Sequence, residues 1–98
     1  MHAKFIRLFR TATSERFVLH DDGGSDIGLL DLHFLADGTV AGSLFLLQKK
    51  VREEADMREI LDQIDEELVP TASLKDANLT FTVTQGELVG TFSSEEDG

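Results

Sequence analysis

Two long apolar runs, residues 27–35 and 40–47, flank the short stretch Ala36-Asp37-Gly38-Thr39. An Asp-Gly pair favours a tight turn, because glycine adopts positive φ freely and aspartate tolerates it. The pattern therefore predicts a β-hairpin at the centre of a sheet. A two-residue loop would place Asp31 opposite Leu44 and His33 opposite Gly42. A longer loop would change these pairs, but not which residues of one strand share a side.

Both sides of this hairpin are apolar. With the two-residue loop, the apolar residues on one side of the hairpin are Leu29, Leu35, Val40, Leu44 and Leu46. Those on the other side are Leu30, Leu32, Phe34, Ala41, Phe45 and Leu47. Strands with one wet face alternate apolar and polar residues, so this pair is expected to be covered on both faces. One helix can cover only one of them. Either the sheet curls into a half-barrel or a second subunit covers the other face, and we expect a homodimer with isologous contacts.

Two strands are predicted before the hairpin. Residues 3–10 fit a strand better than the alternative, a short basic amphipathic helix, because a helix of seven residues is marginal without tertiary support. Residues 15–20 form the second strand, which with 27–35 and 39–47 gives an antiparallel meander. Between them, residues 21–26 read Asp-Asp-Gly-Gly-Ser-Asp, which predicts a turn. Their acids do not have the spacing of an EF-hand calcium loop.

A helix is predicted after the meander. Its apolar stripe repeats at spacings of three and four, and the positions between are mostly charged. The stripe consists of Met57, Ile60, Leu61, Ile64 and Leu68. Asp56 is the expected N-cap, with Glu59 completing a capping box, and Val69-Pro70 is expected to end the helix.

The last segment is predicted to be a second hairpin over residues 79–92. Apolar residues alternate with threonines up to Gln85-Gly86, which would make the turn, and alternate again in residues 87–92. The fold class expected is therefore α+β, in the order β-β-β-β-α-β-β, with one mainly antiparallel sheet and a helix packed on one face. Residues 1–92 form a single domain in this interpretation, and residues 93–98 form a disordered acidic tail.

Nineteen acidic and nine basic residues give the chain a net charge of −10. Residues 1–20 carry +3, which leaves −13 on the remainder. Such acidity disfavours binding to nucleic acid or to an anionic membrane. It is explained most simply by the solubility of a small protein, and the alternative is an acidic face for a basic partner protein. Basic residues precede the predicted helix and acids fill its last turn, which is the reverse of what the helix dipole favours. Antiparallel contact with the same helix of a second chain would offset this unfavourable interaction, unless exposed charges simply tolerate it. No signal peptide or membrane span is recognisable, so a cytoplasmic protein is expected.

Candidate chemistry is confined to a few polar side chains: His20, Asp21, Asp22, Asp31 and His33. Asp31 and His33 are two apart on one strand and therefore share a face, where they could bind a transition metal or transfer a proton. The simpler interpretation is a histidine beside a carboxylate in a sheet, since a catalytic metal needs three ligands. The chain has no cysteine, no Gly-x-Ser-x-Gly elbow and no phosphate-binding loop.

No catalytic, cofactor-binding or metal-binding residue is assigned from the sequence, and no cofactor is expected. The function predicted is that of a small non-enzymatic protein-interaction module, homodimeric, which engages another protein through its acidic surface or its sheet. The alternative is a metal-binding or small-ligand-binding protein centred on Asp31 and His33. A third possibility is an acidic phosphate mimic that inhibits a nucleic-acid-binding protein.

Overall fold

The computed structural model describes residues 1–68, 79–90 and 92–94, which form one five-stranded sheet with a helix packed on one face. The elements are β1 (Lys4–Arg10), β2 (Ser14–His20), β3 (Asp26–Phe34), β4 (Val40–Leu47), α1 (Glu54–Gln63) with a π-helical turn (Ile64–Leu68), and β5 (Leu79–Gly86). The strands lie in sequence order. β1 to β4 form an antiparallel meander, and β5 runs parallel to β4. The predicted α+β class is confirmed, as is a strand over residues 4–10.

The core lies between the sheet and α1. Alternate residues of β2, β3 and β4 point to this side, where Ile60 and Ile64 of the helix layer are completely buried. The sheet residues that they join are Phe17, Leu19, Leu30, Leu32, Val40, Leu44 and Leu46. The predicted stripe is confirmed, because Met57, Leu61 and Leu68 pack against the same cluster. This face of the sheet is called the helix face below.

The central hairpin has a longer loop than the sequence predicted. Phe34 pairs with Val40, and the loop is closed by the Leu35 amide, which donates to the Thr39 carbonyl at 2.8 Å. Gly38 has φ +88°, as in the three-residue loop in which a type I turn is followed by a glycine bulge. The predicted pairs of Asp31 and His33 are therefore wrong.

The register shift regroups the two sides of the hairpin. Asp31 pairs with Ser43 and His33 with Ala41. Leu44 and Leu46 lie on the helix face, whereas Leu29 lies on the opposite side of the sheet. The alternation within each strand is as predicted.

The predicted second hairpin is wrong. Gln85 and Gly86 do not turn the chain; they continue β5 beside Leu46 and Leu47 of β4. The crossover through α1 brings the chain back in the direction of β4, so the strands pair in parallel. Residues 87–90 belong to no strand, nor does Phe92. The described chain thus has one strand after the helix. The tail residues 95–98 lie outside the described residues, and the single domain over residues 1–92 stays a prediction.

The start of α1 also differs from the prediction. The helix begins at Glu54, and the preceding Glu53 makes no side-chain cap. Asp56 lies inside the first turn of the helix. Its carboxylate and that of Glu59 accept hydrogen bonds from the amino group of Met1. Their carboxylates raise the pKa of that amino group, Glu59 having the larger effect. The predicted helix end at Val69-Pro70 lies outside the described residues.

Gln63 joins the helix to the sheet by two hydrogen bonds. Its side-chain oxygen accepts from the Ala3 amide at 2.9 Å, and its side-chain nitrogen donates to the Ala3 carbonyl at 3.0 Å. Ala3 is buried, so loss of the amide would leave two backbone groups unpaired. We expect Gln63→Ala to lower the free energy of unfolding by about 1–3 kcal/mol in urea titration. Gln48→Ala, at an exposed glutamine, is the control; an equal loss there would contradict the expectation.

In the part of the chain that the structure describes, no helix has the length and apolar character needed to cross a membrane.

Candidate functional site

The side of the sheet opposite α1 is called the open face. In a strand successive side chains point to opposite sides, so the residues that alternate with the helix-face residues lie here. One row of cross-strand partners on this face is apolar on four strands: Ile6 pairs with Val18, Val18 with Leu29 and Leu29 with Phe45. Val18, Leu29 and Phe45 are half-buried and Ile6 is exposed. No helix of the described chain covers this row.

A shallow groove of about 330 Å³ lies over the apolar row. Its apolar lining consists of Leu8, Val18, Leu29, Phe45, Leu47 and Leu88. Leu8 is the extra residue of a bulge in β1, since Arg7 pairs with Phe17 and Phe9 with the next residue back, Arg16. Leu8 and Leu88 are both more than half exposed, so the rim of the groove offers apolar side chains to a binding partner.

Asp31 forms an ion pair that flanks the apolar row. Arg16 donates from Nε and Nη2 to the two carboxylate oxygens at 2.6 and 3.1 Å, and these hydrogen bonds raise the pKa of the guanidinium. The guanidinium also lies 5.8 Å from the centre of the Phe9 ring. With both oxygens bound to an arginine, Asp31 serves as the partner of a cation.

His33 lies on the open face with Asp31, as predicted, but it is exposed and its cross-strand neighbours are Ser14 and Ala41. Gly42, which a two-residue loop would place opposite His33, instead pairs with Leu32 on the helix face, where the Phe81 ring packs against it. Among the described residues, no third acid or histidine joins Asp31 and His33 to complete a metal site.

Of the remaining candidates, His20 and Asp21 stabilise a strand end and a turn, and Asp22 is exposed in that turn. His20 Nε2 lies 2.8 Å from Asp26 Oδ1. The Asp21 carboxylate accepts hydrogen bonds from the amides of Gly23 and Ser25, both at 2.9 Å, and the bond from Ser25 does most to lower its pKa. The predicted turn at residues 21–26 is confirmed. Among residues 1–68, 79–90 and 92–94, no three histidines or acids come together as a metal site would require.

Charge is unevenly distributed between the two layers. Residues 53–68, which include α1, carry eight acids against the single base Arg58. The open face carries Lys4 and Arg16 against Asp26 and Asp31, which cancel. The helix layer is therefore strongly acidic, whereas the open face is apolar and formally neutral.

Comparison of the chain with protein-family models, with curated proteins and with solved structures found no match.

Sequence reasoning found only part of the open face. It identified Leu29, Phe45 and Leu47 as apolar residues of a hairpin with no wet side. It did not bring Leu8 and Leu88 to the same groove, because a β-bulge and the path of the chain after β5 have no distinct sequence signal here. The available signal in β1 and β2 was the occurrence of apolar residues at successive positions, Phe5-Ile6 and Phe17-Val18-Leu19, which puts apolar side chains on both faces of these strands.

Proposed function

We propose that this chain is a non-enzymatic interaction module that forms a homodimer through the open face of its sheet. The observation that carries the proposal is the apolar row from Ile6 through Val18 and Leu29 to Phe45, which no helix of the described residues covers. Contiguous apolar patches on a soluble domain mark interaction sites. A second copy supplies a patch of the same chemistry, as an isologous interface requires.

The distribution of charge is compatible with a second copy on this face. A chain with a net charge of −10 repels itself, and the repulsion is greatest where acids are densest. Face-to-face packing of two sheets puts them about 10 Å apart and leaves the two acidic helix layers on the outside. Each helix layer is then separated from the other by two sheets, beyond the screening length of about 8 Å at physiological salt. The outward acidic layers would suit a basic partner protein.

The polar residues of the open face are compatible with burial in such a dimer. Arg16 and Asp31 already neutralise each other in a two-point contact at the edge of the apolar row. Charged groups tolerate loss of water only when they are paired and hydrogen-bonded. The pair therefore removes the electrostatic cost that an unpaired carboxylate at residue 31 would impose; Asp26, which lines the groove, lies 2.8 Å from His20.

Leu29→Lys tests the proposal, because Leu29 lies in the middle of the apolar row. We expect light scattering after size exclusion, at high micromolar concentration, to give the wild type a mass of at least two chains. The variant should halve the mass of the assembly, since a buried lysine would have no partner. Val89→Lys is the matched control: Val89 is 90% exposed, does not line the groove and should leave the mass unchanged.

Leu8→Lys provides a second variant that the monomer tolerates, because Leu8 is 54% exposed at the rim of the groove. Both substitutions reduce the net negative charge, so dissociation could not be attributed to stronger overall repulsion. A wild-type mass of 10.8 kDa at high micromolar concentration would overturn the proposal. So would an unchanged mass for folded Leu29→Lys and Leu8→Lys, as judged by circular dichroism.

A further inference from the structure

β5 forms one edge of the sheet and has none of the features that prevent edge strands from pairing. It runs for eight residues, Leu79–Gly86, without a charged side chain or a proline. Its register with β4 is continuous from Val40 opposite Leu79 to Leu47 opposite Gly86. Of the described elements, only β4 pairs with it. Long, flat, uncharged edges of this kind are templates for a further strand.

β1, the opposite edge, is protected. Three of its seven residues are basic, namely Lys4, Arg7 and Arg10, and a bulge at Leu8 interrupts its register. Charges and bulges are the devices by which proteins keep an edge strand from pairing with another chain. The two edges of one sheet thus differ, and the difference assigns the unprotected one to an interaction.

The backbone of β5 presents alternate residues to its outer side. Gln48 donates to the carbonyl of Gly86, so Gly86 turns its backbone groups toward β4. In a regular strand the direction alternates, and the odd-numbered residues therefore direct their amides and carbonyls outward. Phe81 and Val83 are the central two of these. Among the described residues no other strand bonds to their backbone groups, which could therefore pair with a strand laid along β5.

We propose that β5 pairs in antiparallel fashion with β5 of a second copy, so that two sheets become one sheet of ten strands. A twofold axis at Thr82 places Phe81 opposite Val83 of the second copy and Thr80 opposite Thr84 of the second copy. Aromatic residues opposite β-branched ones, and threonines opposite threonines, are favourable cross-strand pairs. No like charges meet, because the strand carries none.

Side-chain burial on the helix face supports the same partner. Val83 is 38% exposed although it lies on the side of the sheet that holds the core. Phe81, over Gly42, is only half-buried. A second β5 would lay its own valine and phenylalanine against these two side chains and complete their cover. The edge pairing does not depend on the open face and leaves it accessible, so both interfaces together predict an assembly of four chains.

Val83→Lys is the variant that tests the edge, since it places a charge on each side of the proposed twofold axis without touching the open face. We expect it to halve the mass of the wild-type assembly. Val89→Lys is the matched control, because Val89 is 90% exposed beyond the end of β5, and it should leave the mass unchanged. Combined with Leu29→Lys, Val83→Lys should give a single chain.

Amide hydrogen exchange gives a second readout on the wild-type protein. Edge pairing predicts that the outward amides of Phe81 and Val83 in the wild type exchange at least tenfold more slowly at high protein concentration than on dilution. The Phe81 amide, which is present in both proteins, should also exchange at least tenfold more slowly in the wild type than in Val83→Lys. If Val83→Lys keeps the wild-type mass and these amides exchange as fast as exposed ones, the edge pairing is wrong, whatever Leu29→Lys does. If only Val83→Lys halves the mass, the edge pairing stands and the open-face dimer fails.

Discussion

Gly28→Ala is expected to lower the free energy of unfolding by about 3 kcal/mol or more, at the upper end for overpacking of a core. A Cβ atom at this position would lie 2.3 Å from the backbone carbonyl oxygen of Phe45 and 3.2 Å from a methyl group of Leu46. The first contact is with backbone, which cannot rotate away as a side chain can. β3 and β4 would have to separate where the core is fully buried. For a domain of this size, the midpoint of thermal unfolding should fall by about 10–20 °C.

Gly86→Ala is the matched control for this prediction. Gly86 is also a strand glycine beside Phe45, but there a Cβ atom would lie 3.4 Å from the phenylalanine ring, an ordinary contact distance. We expect its midpoint to stay within about 3 °C of the wild type, as for a surface change of at most about 0.5 kcal/mol. Equal midpoints for Gly28→Ala and the wild type would show that β3 and β4 do not approach as closely as the structure requires.

Gly28 also shows where sequence reasoning reaches its limit. It was read as part of an apolar strand, which is correct, but its packing depends on an irregularity across β2 and β3. Leu19 pairs with Gly28 and His20 with Asp26, so Ile27 is an extra residue in β3 and is completely buried. Such a bulge arises from the fit between two strands. The residue pattern of neither strand alone predicts the bulge.

The parts of the fold that were predictable are those set by local periodicity. Apolar runs on both sides of Asp37-Gly38 predicted the central strands, and the spacing of Met57, Ile60 and Ile64 predicted the helix. The direction of β5 was not predictable in this way, because alternation is the same in parallel and antiparallel strands. Gln85-Gly86 has the composition of a turn, but Gln85 instead donates from its side chain to the Val51 carbonyl at 2.6 Å, which ties β5 to the segment before α1.

The candidate site was partly predictable for the same reason. Two apolar sides on one hairpin indicated a face that a single helix leaves uncovered, and the structure shows that face. The pairing of Asp31 was not foreseeable, because Arg16 is fifteen residues away and reaches it only through the register of β2 with β3. A carboxylate and a histidine two residues apart therefore indicated a common face without indicating a common function.

Removal of both Arg7 and Arg10 is expected to lower the free energy of unfolding by about 2–3 kcal/mol. Both arginines form ion pairs with Glu15, whose side chain is only 9% exposed. Their guanidinium groups contact its carboxylate oxygens at 3.2 and 3.3 Å. A buried charge without a partner costs about 3–5 kcal/mol. The lower figure applies because both arginines are exposed, so their truncation would admit water to the carboxylate. Arg7→Ala with Arg10→Ala, followed by urea titration, measures the loss.

Glu15→Leu should behave differently from the arginine variants, although it breaks the same ion pairs. Glu15 lies opposite Leu32 on the helix face, where an apolar side chain of similar length can join the core. Replacing a buried charge by a well-packed apolar residue is often neutral, so we expect a change within about 1 kcal/mol. Adding Glu15→Leu to the double arginine variant should then restore most of the lost stability. The remainder measures the packing of Arg7, which lies 5.7 Å from the Phe17 ring centre.

Arg58→Ala is the control for the effect of removing an arginine from an exposed ion pair. Its ion pair with Glu54 joins two side chains that are both more than 70% exposed, and we expect a change below about 0.5 kcal/mol. Failure of Glu15→Leu to restore the double variant would mean that the arginines stabilise β1 through their own packing.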